Sequence, residues 1–299
     1  MLGEIIEATR FLEDPRHDGA AAEAWLRRLG VQDCGWQRIA GERGHTDVVV
    51  ARFGTGEPCL GILGVLGGTG MRPERPGLVS DADGAVVALA VAAALARQWE
   101  AGDGLPGRVV VATHICPRAL MRPQLPAPMM SCPADRVEVL RAMLDPAMQA
   151  VLSVDASKAN RVLNRVGFAI TPTVKQGWIL RVADDLLDAQ QAATGEAPLV
   201  LPITMQDITP YGSGVRHINS ILQPATMADC PVVGVAICAA ATVAGSATGA
   251  NQPFVLDQAG RFCVEVARGF TAGRFAFLDD GEFATLVGRY GGMERLQRL

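Results

Sequence analysis

Apolar positions along this chain follow two rhythms. Helical spacing runs over residues 4–12 and 20–29, the second helix opened by Asp18-Gly19 and stopped by Gly30. Short apolar or alternating runs at 36–39, 48–53 and 59–66 read as strands, the last ending in Gly67-Gly68-Thr69-Gly70. Beyond them the two rhythms alternate: helix 83–100, strand 108–113, helix 134–144, strand 151–155. Strands separated by helices of this length pair in parallel through right-handed crossovers. The middle is more β-like, at 162–171 and 177–182, so that a small β-rich insertion is expected around 160–182; helix 184–192 and strand 199–203 follow. A helix around 215–222, a strand at 232–238, a Gly/Ser/Thr/Ala loop to Asn251 and helices 255–270 and 281–287 close the chain. The pattern predicts an α/β fold on a mostly parallel central sheet, a single domain over residues 1–299.

Composition narrows the picture. A hydrophobic content of 49% is ample for a large core, and 5% aromatic residues suit small side chains packing helices onto a sheet. A net charge of −4 leaves no basic footprint, which excludes nucleic acid as a partner. The longest unbroken apolar run, 85–96, falls short of the roughly 20 residues a bilayer crossing needs, so no membrane span is expected. The start, Met1-Leu2-Gly3-Glu4, lacks a basic region of the secretory kind, and a cytoplasmic location is the expectation. Seven cysteines without a C-x-x-C pair read as scattered thiols, with Cys59, Cys238 and Cys263 in apolar runs as core.

In open parallel sheets ligands bind outside the carboxyl ends of the strands, so the polar groups after each apolar run are the candidates. Four clusters emerge: Ser80-Asp81-Ala82-Asp83-Gly84; His114 with Cys116; Asp155 with Ser157, Lys158 and Asn160; and Gln206-Asp207, followed by Arg216-His217-Ile218-Asn219. Each has an ordinary reading: helix caps for Ser80, Asp81 and Asp83, a hydrogen-bonded core imidazole for His114, a turn cap for Asp155. Lys158 and Lys175 are the only lysines in an arginine-rich chain. Arginine replaces a solvated lysine freely but cannot act as a titratable amine, so a retained lysine invites a functional reading. Cys116 beside His114 is a weak nucleophile candidate, because Pro117 ends its strand and no third residue orients the pair. The loop 245–251 precedes a helix but lacks the lysine of a phosphate loop.

The strings S-D-A-D-G at Ser80, T-H-I-C-P at Thr113, D-A-S-K-A-N-R at Asp155, I-T-P-T-V-K at Ile170, Q-D-I-T-P-Y-G at Gln206, H-I-N-S-I-L-Q-P-A-T at His217 and A-T-G-A at Ala247 resemble, in order, the bacterial and archaeal domain of unknown function 1177. That likeness covers nearly the whole chain and implies no established activity. More distantly, the Ser80–Gly84 string before an Ala-rich helix is similar to the zinc-dependent aminopeptidases, where an aspartate bridges two metals. This likeness implies a three-layer αβα sandwich, with Asp81 as bridging carboxylate and Asp155 as terminal ligand. The chain departs from those enzymes where they carry a histidine before the bridging aspartate, adjacent glutamates and a late histidine. It has instead Gly67-Gly68-Thr69, His114-Ile115-Cys116 and no histidine in 241–252.

The leading expectation is a metal-dependent hydrolase of a small amide, peptide or amino-acid derivative. One divalent ion, zinc or manganese, would be held by Asp81, His114 and Asp155. Lys158 would act on the substrate carbonyl, and Asp83 or His217 would transfer protons. Asn160, Arg161, Lys175, Asp207 and Asn219 would bind substrate. The alternatives are a non-catalytic small-molecule binder on a degenerate aminopeptidase scaffold and a metal-free lysine-dependent enzyme. The expected partners are a small-molecule ligand and, by surplus apolar content, further copies of the chain.

Overall fold

A computed structural model describes residues 1–65, 78–117, 119–123, 129–159, 161–210, 213–215, 220–245 and 250–297. In chain order the elements are α1 (Leu2–Glu13), α2 (Gly19–Arg28), β1 (Asp33–Gly41), β2 (Gly44–Phe53), β3 (Cys59–Gly64), α3 (Asp83–Glu100) and β4 (Arg108–Ile115). Then come the short β5 (Leu120–Arg122) and β6 (Met129–Ser131), α4 (Arg136–Met143), β7 (Ala150–Ser157), β8 (Gly167–Ile170), β9 (Val174–Lys175) and β10 (Trp178–Ile179). α5 (Asp184–Thr194), β11 (Val232–Cys238), α6 (Pro253–Thr271) and α7 (Asp280–Tyr290) complete the set.

The main sheet runs β1-β2-β4-β3-β7-β11-β9-β10, with β8 also on β11. Its centre, β4-β3-β7-β11, is parallel, as the alternating helices demand. The β1–β2 hairpin extends one edge antiparallel, and β8 and β9 add antiparallel pairs at the other, so the stretch expected as an insertion joins the sheet. Side chains alternate across it with period two. Ile62, Val111, Leu152 and Val235 face a layer that includes α1, α3 and α6, while Leu63, Val110, Val151 and Ala236 face the thinner layer built on α4. The architecture is the three-layer αβα sandwich.

α3 is buried from Asp83 through Ala96, which explains its wealth of small residues: alanine, glycine and valine fill most of that stretch and let the helix approach the sheet closely. Gly84 is the tightest point. A Cβ there would stand 2.5 Å from the Val154 carbonyl oxygen and 2.7 Å from that of Val65, so glycine is what lets the helix begin against the ends of β3 and β7. Among the described residues no helix is long and apolar enough to cross a membrane.

Two predicted elements differ. Residues 199–203 make a single bridge, Ile170 with Val200, instead of a strand. Pro198 just before them and Pro202 within them remove donors a ladder needs. Much of the helix expected around 215–222 lies outside the described residues, and the first regular turn after it is a 3-10 segment, Gln223–Thr226, opened by Pro224.

Candidate functional site

The carboxyl ends of β3 and β7 and the start of α3 gather a set of buried ions. Asp155, late in β7, faces the α4 layer and is fully enclosed. One carboxylate oxygen, Oδ2, accepts from Ser220 Oγ at 2.6 Å; the other, Oδ1, is buried and has no hydrogen-bond partner among the described residues. Burial above all, then the charge of Asp81, pushes its carboxyl up to about 7, against the opposing pull of the Ser220 bond, of Arg136 and, least, of the Ala156 N–H.

Asp81 and Asp83 lie where a 3-10 turn, Ser80–Ala82, feeds α3. The turn is anchored on the segment after β11: Ser80 Oγ donates to the Ala244 carbonyl at 2.8 Å, and Asp81 N–H donates to that of Gly245 at 3.1 Å. Asp81 accepts the Met130 N–H, but burial and, to a lesser degree, the neighbouring Asp83 raise its carboxyl to about 6. Asp83 is completely buried and fully engaged. It forms an ion pair with Lys158 Nζ, and its Oδ1 accepts from Asn251 Nδ2 at 2.6 Å. Asn251 Nδ2 also reaches the Val79 carbonyl at 3.1 Å, tying the loop before α6 to the start of α3. Burial raises Asp83 while Lys158 opposes it.

His114 points elsewhere. From the end of β4 its Nδ1 meets Thr46 Oγ1 of β2 at 2.9 Å, and the interacting group on the ring is the Cys132 thiol. Burial lowers its affinity for a proton. Among the described residues no three or more His, Cys, Asp or Glu side chains are arranged to hold a metal ion. Of the expected trio, then, Asp81 and Asp155 sense one another and His114 does not join them.

The remaining candidates divide. Lys158 belongs to the cluster, with a side chain 7% exposed. Lys175 does not: Val174 pairs with Val232 at the start of β11, whereas Asp155 is level with Ala236, roughly 13 Å further along the strand. Its Nζ stands 3.9 Å from Asp280 and over the Phe283 ring, toward the opposite rim. Asp207 is buried in a local capping box, its Oδ2 accepting from Thr204 N–H at 2.7 Å and from the Thr204 hydroxyl at 3.2 Å. Arg161 is exposed. Asn160, His217 and Asn219 lie outside the described residues. A groove lined by Arg181, Leu278, Phe283 and Leu286 contains none of the carboxylates of this cluster. Sequence reasoning missed Ser220, Asn251 and Cys132; Ser220 and Asn251 do stand beside polar strings that it singled out.

Known proteins place this architecture. The chain resembles the solved structures of the bottromycin maturation enzyme BotP at 18% identity and a TM-score of 0.52, covering 90% of this chain and 70% of that one. A second structure of that enzyme, in complex with Mn, matches at 16% and 0.50 over 88% and 71%. The LapA aminopeptidase of Legionella pneumophila matches at 10% and 0.50 over 93% and 72%. These likenesses establish an aminopeptidase-like fold. No curated protein matches the sequence. The family profile described as "Protein of unknown function (DUF1177)" matches residues 37–299.

Proposed function

Because this chain belongs to the DUF1177 family, whose activity is unknown, we propose from its own residues that it is a hydrolase of small amide, peptide or amino-acid substrates. The reading places its working centre at Asp81 and Asp155. One observation carries it: a fully buried carboxylate, Asp155, keeps an oxygen without a hydrogen-bond partner among the described residues and faces the charge of a second carboxylate. Structure alone gives no reason to maintain so unfavourable a pair, whereas a site that handles a cation or a proton does.

The two carboxylates fit a divalent ion. They are hard oxygen donors, one of them is unsatisfied, and their mutual repulsion would be relieved by positive charge. With the imidazole directed elsewhere, the donor set favours manganese or magnesium over zinc. Such an ion would supply Lewis acidity toward a substrate carbonyl and a lowered pKa for water. The chain's own residues do the rest. Without the ion Asp155 holds its proton up to about pH 7, so uptake of the ion would displace that proton and should be pH-dependent. Lys158 balances Asp83 and fixes the start of α3, on which Asp81 depends; engaged this way, its amine is not presented as a nucleophile. The aminopeptidase-like fold supports the reaction class by analogy only.

The test pairs binding with turnover. Chelator-treated protein titrated calorimetrically with manganese should bind it, and the loaded protein should hydrolyse members of a panel of aminoacyl amides and dipeptides. Asp155→Asn and Asp81→Asn should lose both. Wild-type protein that takes up no manganese, zinc or magnesium and cleaves nothing in the panel refutes the reading.

A further inference from the structure

The end of β4 at His114 holds a second constellation that the carboxylate pair does not use. Thr46 is buried in β2, and its single hydroxyl hydrogen is donated to the Ile115 carbonyl at 3.0 Å. The Thr46 oxygen can therefore only accept from His114 Nδ1, 2.9 Å away, which places the imidazole hydrogen on Nδ1. Nε2 is left as the basic nitrogen, buried and without a well-aligned hydrogen-bond partner among the described residues. The group in reach of the ring is Cys132, just after β6. Cys132 also receives a hydrogen bond from the Cys116 thiol, whose sulfur lies 3.8 Å from the His45 carbonyl oxygen. A base in a fixed tautomer, a half-buried thiol and a second, fully buried thiol thus form one chain of contacts.

We propose that Cys132 and Cys116 are a redox-active dithiol, with Cys132 the attacking sulfur, Cys116 the resolving sulfur and hydroperoxides the class of oxidant. Exposure assigns the order. Cys132 is the one a small molecule can reach, while Cys116 is 1% exposed. Hydrogen bonding from Cys116, then the contact with His114, holds the Cys132 thiol well below the ordinary thiol range, whereas burial raises Cys59, Cys230, Cys238 and Cys263. Thr46 acts through His114 and is a positioning residue.

The chemistry closes in two steps. Cys132 sulfur attacks the terminal oxygen of a hydroperoxide; the S–O bond forms, the O–O bond breaks, and the proton relayed through His114 Nε2 leaves with the alkoxide as an alcohol. Cys116 sulfur then attacks the resulting sulfenic acid; the S–S bond forms and hydroxide departs with the Cys116 proton as water. One hydroperoxide is reduced, two thiols are oxidised to a disulfide, and a dithiol reductant reverses the change.

The test uses the full chain and hydrogen peroxide. Wild-type protein treated with about one equivalent, blocked with an alkylating agent and digested should yield the Cys116–Cys132 disulfide by mass spectrometry, with the other cysteines alkylated. Cys116→Ser should halt at a Cys132 sulfenic acid trapped by dimedone. Iodoacetamide should label Cys132 at least ~10-fold faster than Cys230. Thr46→Val should slow that labelling and Thr46→Ser restore it. Peroxide that leaves both thiols free in wild-type protein, or Cys132 labelling no faster than Cys230, overturns the assignment.

Discussion

Asp47 and Asp155 are the same side chain, both with no exposed surface, yet their surroundings treat charge in opposite ways. Asp47, in the edge hairpin, accepts from the Gly19 N–H at 2.9 Å and from Arg38 Nε and Nη2 at 2.8 and 2.9 Å. Burial works against its ionised form, but the Arg38 and Gly19 bonds outweigh it and hold the carboxyl below its ordinary value. Asp155, at the sheet rim, has Ser220 on one oxygen and, among the described residues, no hydrogen-bond partner on the other. Burial of a carboxylate therefore does not identify a site. An unmatched oxygen alone does not identify one either, since Asp207 Oδ1 and Asp257 Oδ1 are also buried without a hydrogen-bond partner among the described residues. A carboxylate whose partners are all supplied is a fastening, and one left short and also facing a second carboxylate, as Asp155 faces Asp81, is a receptor for something the chain lacks.

Asp83 stands between them, buried like Asp155 but saturated by Lys158 and Asn251. Removing its cation should convert a fastening into an uncompensated buried charge, and that is the largest effect expected. Lys158→Met should destabilise the fold by ~3–5 kcal/mol in urea titrations, and a second change, Asp83→Leu, should recover most of the loss. If Lys158→Met were neutral, the ion pair would not hold the start of α3.

The second prediction takes its sign from Asp155. Its folded-state carboxyl is raised to about 7 from an ordinary 3.8, so the folded protein holds more protons than the unfolded one between those values. Stability contributed by this group is fully present below about pH 4 and is lost as pH rises toward 7. Asp155→Asn abolishes that loss. The variant should match wild type near pH 4 and exceed it by about 4 kcal/mol at pH 8 in the absence of divalent ions, measured by parallel denaturation curves. A variant less stable than wild type at pH 8 would mean that Asp155 is a fastening after all.

Much of this rim was legible from strand ends alone. Asp81, Asp83, Asp155 and Lys158 each follow or flank an apolar run, and the parallel sheet brings such ends to one edge. Lys175 also follows an apolar strand, but Val174 is level with the first residue of β11, which reverses the rim it belongs to; strand direction is not written in the periodicity. Asp207 carried its local explanation in plain sight, as the fourth residue of Thr204-Met205-Gln206-Asp207. His114 was visible as a strand-end imidazole, but its partner depended on Cys132, which sits in a connection between β6 and α4 and has no periodic signal at all. Pairwise contact across such a connection is a product of tertiary packing.

Asp47 provides the mirror experiment, with the smallest expected effect. Its folded-state carboxyl is lowered, so the stability it contributes is present above about pH 4 and lost as pH falls through the folded value. Arg38 is 44% exposed, and water screens its half of the pair, so Asp47→Asn should destabilise by only about 1.5–2 kcal/mol at pH 7. The gap between variant and wild type should narrow as pH falls below about 4. Plotted against pH, the two aspartate-to-asparagine differences would then have opposite signs at pH 7, one loss and one gain, from a chemically identical change. Differences of the same sign would show that burial, and not the supply of partners, governs both positions, and the physical basis for placing the working centre at Asp155 would be gone.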